Sequence, residues 1–422
     1  MSTSAPADLS ENLAAFQSAY DELKAQGLKL DLTRGKPAAD QLALSDALLS
    51  LPGEGFFTDA AGTDLRNYGG GAGLPELRAL FSDALRVPVA QLLALGNSSL
   101  TLMHDVIAFA MLHGVPGSER PWAREETISF LCPVPGYDRH FSITEAMGVR
   151  MIPVPMNEDG PDIPSIKAAL ETDPTIKGMW CVPVYSNPTG AVYSEQVARE
   201  LVSLSAAADF RIFLDNAYVV HHIADFRPEP IDWLALAVEA GNPDRVFVFS
   251  STSKITYPGA GVAFFGSSAD NVAWYQKWAS FQSIGPDKIN QLRHVALLKD
   301  AAGLADHMEK HAVLIAPKFA AVQEVFGRRL SPFGVGEWSD PQGGYFVTLT
   351  VSPGVAKRAI QLAAEAGVAI TPAGSTHPYL SDDEDSTVRI APTFPTLADL
   401  TAGLEGFCTA LLLAEAEKAA AA

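Results

Sequence analysis

Residues 246–261 read VFVFSSTSKITYPGAG, and this stretch decides the fold. Val246 to Phe249 are apolar without alternation, as in a strand covered on both faces of a mostly parallel sheet. The run then ends in small hydroxyls grouped around one lysine, Lys254. An ammonium at the end of a covered strand must reach water or do chemistry, because burying an unpaired charge is costly.

Working outward, the runs TISFLCPVP, VRMIPVPM, GMWCVPVYS, FRIFLDNAY and GVAFFGSS repeat that pattern with helical stretches between them. The alternation predicts an α/β fold with a mostly parallel, seven-stranded sheet sandwiched by helices. Ligands of such sheets collect outside the carboxyl ends of the strands, where the loops carry Tyr137, Asn187, Asp215 and Lys254. From about Asn290 the pattern changes to long helices, then GGYFVTLTV, a helix near Val355 to Ala366, VAITPAG, TVRIAP and a final helix. That mixture predicts a second, smaller α+β domain. Near the start, Leu13, Phe16, Tyr20 and Leu23 mark one face of an amphipathic helix, expected to pack with the smaller domain. The resulting division is 1–45 for the N-terminal segment, 46–290 for the large domain and 291–422 for the small one.

Composition narrows the function classes. The chain of 422 residues is 48% hydrophobic and 19% charged, too apolar for disorder. No uninterrupted apolar run approaches the roughly 20 residues of a membrane span, and the start lacks the basic and apolar blocks of a signal peptide. A formal net charge of −19 argues against nucleic acid as a partner. Three cysteines, Cys132, Cys181 and Cys408, lie far apart, as reduced thiols of a cytoplasmic protein would. His221, His222 and Asp225 invite a metal reading, but no further ligand has suitable spacing, so no metal is expected.

A lysine is a useful nucleophile only when its amine is neutral, and its commonest use is then an imine with a carbonyl compound. Were that carbonyl pyridoxal phosphate (PLP), the ring nitrogen would need an anionic partner to remain protonated, and Asp215 at the end of IFLD is the candidate.

Here the chain resembles the fold-type I PLP-dependent class I/II aminotransferases. The motifs that carry the resemblance are TRGKP (33–37), NYGGGAGLPELR (67–78), GNSS (96–99), PGY (135–137), SNPTG (186–190), DNAY (215–218), STSK (251–254) and VRIAP (388–392). Each is weak alone, but their order along nearly the whole chain is specific. GNSSL, PGYDRH and SKITYPGAG are similar to the aspartate aminotransferase subgroup related to the aminotransferase domain of MocR-type regulators.

The resemblance implies a role for each matching residue. Lys254 would hold PLP as an imine and then shuttle a proton, Asp215 would pair with the pyridinium, Asn187 and Tyr218 would bond the ring's phenolic oxygen, and Tyr137 would stack on the ring. Ser98 and Ser99 at a helix start, with Ser251 and Ser253, would hold the phosphate. Tyr68 would reach the phosphate of a neighbouring subunit, implying a homodimer with shared active sites. Arg389 would fork onto the substrate α-carboxylate, and Gly35 would let backbone approach it. The family's arginine soon after the lysine is missing from PGAGVAFF (258–265); Lys36, Arg66 or a partner-subunit cation are the replacements considered.

The substrates implied are amino acids and 2-oxo acids. Arg139 is the candidate for a dicarboxylic side chain of aspartate or glutamate, against an equal prospect of a surface ion pair with Asp138 or Glu145. Competing readings are a PLP-dependent lyase or decarboxylase of the same fold, a Schiff-base aldolase without PLP, and a MocR-like ligand-binding domain. The last would need a DNA-binding segment ahead of Thr33, where the residues are few and acidic.

Overall fold

The computed structural model describes residues 8–421. Strands Arg150–Asn157, Ser129–Val134, Ile176–Cys181, Arg211–Asp215 and Val246–Ser251 lie side by side in that order, all parallel. Ala263–Gly266 joins antiparallel to Val246–Ser251, and Leu92–Ala94 joins antiparallel to it in turn. Six of these are the runs read from the sequence; the seventh, Leu92–Ala94, is not among them. The sheet has eight, because the chain turns back at Glu158 and pairs the two residues Gly160–Pro161 with the end of Arg150–Asn157. So short an edge strand has no apolar run to announce it.

Both faces of the parallel strands are covered, as their unbroken hydrophobicity requires: every residue of Arg211–Asp215 and Val246–Ser251 is buried. Alternation of side chains along the strands separates two cores. Ile212, Leu214, Val246 and Val248 face an aliphatic layer with Leu77 and Leu201. Phe213, Phe247 and Phe249 face an aromatic layer with Phe130, Trp180 and Phe265. Each fully buried phenylalanine contributes roughly 1.5–3 kcal/mol of burial.

A third core lies beyond the sheet. Strand Thr387–Ile390 pairs antiparallel with Val347–Thr350, and Tyr20 and Leu23 of helix Leu13–Ala25 pack with Leu404, Phe407 and Leu411 of the final helix. The apolar face of the first helix is buried in this core. Helix Leu397–Ala421 is long and apolar enough to cross a bilayer, but 67% of its apolar window is buried inside the protein, so its hydrophobicity serves the core. Helix Ala301–Arg329 serves two cores: Leu304 and Met308 join the sheet layer, Ile315, Phe319 and Phe326 the third core. All three cysteines are free and buried.

Candidate active site

Lys254 lies just past the strand Val246–Ser251, in a loop tied at its neck by the bond from Val262 N–H to Thr252 Oγ1 at 2.9 Å. The backbone around it is gripped from behind. Ile255 C=O faces Nε2 of His307 at 2.7 Å and of His311 at 3.0 Å, and Lys254 C=O faces Nε2 of His221 at 3.3 Å. A carbonyl only accepts, so these imidazoles donate from Nε2. His307 and His311 stand one helical turn apart, on one face. The Lys254 amine lies 4.8 Å from the centre of the Tyr218 ring and 5.9 Å from that of Tyr345, with no hydrogen bond among the described residues. Desolvation lowers its pKa and Asp215 opposes the drop, so the amine sits nearer neutrality than a surface lysine.

Asp215 ends its strand 5% exposed. Its Oδ2 accepts from His140 Nε2 at 3.1 Å, while Oδ1 is buried with no partner. His140 stacks on Trp180, centroids 4.3 Å apart and planes within 6°. A buried carboxylate oxygen without a donor is a costly feature unless a bound group completes it.

Tyr137 and Tyr218 converge on the same place. Burial pushes the Tyr137 phenol well above the usual range, Asp215 and Asp138 push it further, and Arg139 and Arg389 oppose. Burial does the same to Tyr218, with Tyr137 and Asp215 adding and Arg389 opposing. Both phenols therefore keep their protons and are available as donors. Asn187, 2% exposed, leaves Oδ1 unpartnered.

Ser98 caps helix Ser99–His113 through its backbone, but its side chain makes no capping bond, leaving the hydroxyl and the first N–H groups free at a positive helix end. Ser251 Oγ lies 3.0 Å from Ser253 Oγ. A cavity of about 560 Å³, lined by Asn97, Ser98, Asp105 and Ile284, opens beside this helix start. Lys36 instead lies over Phe394 and Arg66 pairs with Asp64 over Phe57, and neither hydrogen-bonds to these serines.

Arg389, 8% exposed, lies 4.9 Å over the Phe346 ring; a side chain at Gly35 would overlap that same ring. Gly35 and Arg389 thus flank one aromatic plate. Arg389 Nη1 donates to Asp138 Oδ1 at 3.1 Å and its Nε is buried without a partner. Arg139 is exposed and forms no ion pair with Asp138 or Glu145. Tyr68, 81% exposed, stands apart on the surface. His221 and His222 are used structurally, His222 Nδ1 lying 2.7 Å from Tyr185 OH.

Lys254, Asp215, Tyr137, Tyr218 and Arg389 therefore share one electrostatic neighbourhood. Sequence reading missed His140, Asp138, Phe346 and the pair His307 and His311. Two of these lay within PGYDRH, already singled out, and the HMEKH spacing (307–311) was a visible one-turn signal.

A family model described as aspartate amino-transferase matches residues 1–422. The chain is 57% identical to a protein of Mycolicibacterium smegmatis over 95% of this chain and 94% of that one. It is 51% identical to an aspartate aminotransferase of Corynebacterium glutamicum over 94% of this chain and 92% of that one. The crystal structure of an aspartate transaminase from Corynebacterium glutamicum superposes with a TM-score of 0.96 at 49% identity, covering 97% of each chain. With Lys254 and Asp215 on the rim of this sheet and Arg389 reaching Asp138 from the third core, the chain belongs to the aspartate amino-transferase family and is an aminotransferase.

Proposed function

We propose that the protein holds pyridoxal 5′-phosphate at Lys254 and moves an amino group between a dicarboxylic amino acid, aspartate or glutamate, and a 2-oxo acid such as 2-oxoglutarate. The observation that carries this is the buried, unpartnered Asp215 Oδ1 on a carboxylate close enough to a desolvated lysine amine to oppose the drop in its pKa. The residues fit the coenzyme: an amine for its aldehyde, a carboxylate for its ring nitrogen, free hydroxyls and a helix start for its phosphate. When bound, the coenzyme supplies an electron sink for the pair of electrons left when the substrate α-carbon loses its proton.

Everything else falls to the chain. Asp215 Oδ1 accepts from the ring nitrogen, with Oδ2 braced by His140. Asn187 and Tyr218 would donate to the coenzyme's phenolic oxygen, and Tyr137 would stack on its ring. Ser98, Ser99, Ser251 and Ser253 bind the phosphate together with the N-terminus of helix Ser99–His113. Arg389 and the backbone at Gly35 hold the α-carboxylate, which turns the α-carbon proton toward Lys254. The Lys254 amine, neutral once free, takes that proton at Nζ and returns it. Arg139 binds the distal carboxylate.

The active unit in this proposal is a homodimer in which Tyr68 of a second copy completes the phosphate site. Exposed Phe56, Tyr68, Phe281 and Ile284, each at least 64% exposed, support a covered face there. The positions of Lys36 over Phe394 and of Arg66 with Asp64 favour a cation from the second copy as the replacement for the missing arginine. Segment 1–45 goes with the small domain 291–422, as the packing of Tyr20 and Leu23 on the final helix supports, and helix Ala301–Arg329 is shared between the cores of that domain and of the large domain 46–290. Buried free thiols support a reducing, cytoplasmic setting.

The test is spectroscopic. Protein loaded with the coenzyme should absorb in the visible, lose that band stoichiometrically with aspartate and regain it with 2-oxoglutarate. Borohydride should fix the label to Lys254 alone. A band that is lost and never returns would point to a lyase, and a label on another side chain would sink the proposal.

A further inference from the structure

The ion pair between Arg389 and Asp138 joins separate parts of the chain. Asp138 is the first residue of helix Asp138–Ala146, directly after Tyr137, and Arg389 belongs to strand Thr387–Ile390. Arg389 Nη1 donates to Asp138 Oδ1 at 3.1 Å, and this is the arginine's one hydrogen bond among the described residues. Its plane rests on Phe346, and its Nε is buried and unpartnered. In a guanidinium, Nε and Nη2 share the side-on edge opposite to Nη1, and that edge is the fork that takes a carboxylate in two parallel bonds. One corner is therefore held by Asp138, one face by Phe346, and the carboxylate-binding edge is left without a partner. A fully buried Nε–H without an acceptor is what such an edge looks like before its ligand arrives.

We propose that Asp138 is the positioning residue of the substrate-carboxylate arm: by holding Nη1 it presents the Nε and Nη2 edge of Arg389 to the α-carboxylate in advance of binding. This rests on the reading of Arg389 as the α-carboxylate anchor. In this reading Asp138 acts only through Arg389, its side-chain partner at 3.1 Å. A flexible arginine loses rotamer freedom on binding, and fixing it beforehand removes that cost from the binding step. Since every amino acid carries an α-carboxylate, the effect is independent of the side chain.

The test uses the coenzyme-loaded protein with Asp138→Ala and Asp138→Asn. Asparagine keeps an oxygen that accepts from Nη1, whereas alanine removes it. Asp138→Ala should raise KM for aspartate and for alanine alike by about tenfold with kcat within about threefold, the size of one lost bond to a charged group. Calorimetry with succinate, which does not react, should show the same weakening without any turnover. Asp138→Asn should restore both to within about threefold. Unchanged or tighter succinate binding in Asp138→Ala would overturn the proposal, showing that Asp138 competes for the arginine or merely starts its helix; so would a loss confined to kcat. The anchor reading fails separately, if Arg389→Ala binds succinate as the parent does.

Discussion

His140 Nε2 stands 3.1 Å from Asp215 Oδ2, and the imidazole that makes this bond is clamped between the plane of Trp180 and the edge of Tyr137. One carboxylate oxygen is thus spent on fixing the side chain, and the other is kept free. The two substitutions should separate these roles. Asp215→Ala removes the anion proposed to pair with the coenzyme's ring nitrogen and should lower kcat by at least about a hundredfold, about 2.7 kcal/mol of transition-state stabilisation. His140→Ala leaves the anion but loosens it and should cost about tenfold, with a shift in the visible band. Stopped-flow turnover with aspartate measures both; equal losses would mean that His140 is more than a brace.

The contrast between Asp215 and His140 shows what sequence makes legible. Asp215 ends an apolar strand and Lys254 follows another, and continuous hydrophobicity places both on the carboxyl rim. His140 and Asp138 lie only one turn into a helix whose direction depends on tertiary packing, so their partners, 75 and 251 residues away in sequence, could not be read from spacing. The two-residue strand Gly160–Pro161 and the strand Glu337–Trp338 were illegible because two residues carry no periodicity. Helix Leu397–Ala421 has the opposite character, apolar nearly all round because the third core surrounds it.

The histidines behind Lys254 predict acid lability. Burial lowers His221 to about 3, with His311 and Lys254 contributing, and lowers His311 to about 4, with His307 contributing. Both are neutral in the folded protein, while the unfolded chain protonates near the ordinary value of about 6.5. Their stabilisation is therefore fully present above about pH 6.5 and is lost as the pH falls from there toward 4. By pH 5 the loss is about 2 kcal/mol for each. Thermal unfolding from pH 7.5 to 5 should show it, and His311→Gln should flatten the decline; an unaltered slope would remove His311 from the account.

Gly367 joins helix Ala356–Glu365 to strand Val368–Ala369 with φ at +85°, and its carbonyl accepts from Leu30 N–H at 2.9 Å. A Cβ there would fall on the backbone carbonyl of Leu28. Gly27 also has a positive φ, +62°, but nothing lies within 4 Å of its Cβ position. Gly27→Ala should thus cost about 1 kcal/mol from backbone conformation alone, whereas Gly367→Ala should cost at least about 3 kcal/mol as the strand Leu30–Asp31 is pushed off its partner. Denaturant midpoints compare the two, and equal shifts would show that the Leu28 segment yields freely.

Arg139 is where the proposed dicarboxylate preference is tested. It is exposed, has no carboxylate partner, and lies close enough to Tyr137 to oppose the rise in that phenol's pKa. The competing role, a surface ion pair with Asp138 or Glu145, is not formed, since Asp138 is turned to Arg389 instead. An unpaired guanidinium beside Tyr137 suits a second carboxylate, and a charge-assisted bond to it is worth about 1.5–3 kcal/mol. Arg139→Ala should then lower kcat/KM for aspartate and glutamate about 10- to 100-fold and for alanine less than about threefold. Equal losses for all three would assign Arg139 to the framework, and dicarboxylate preference would have to come from a cation on another element.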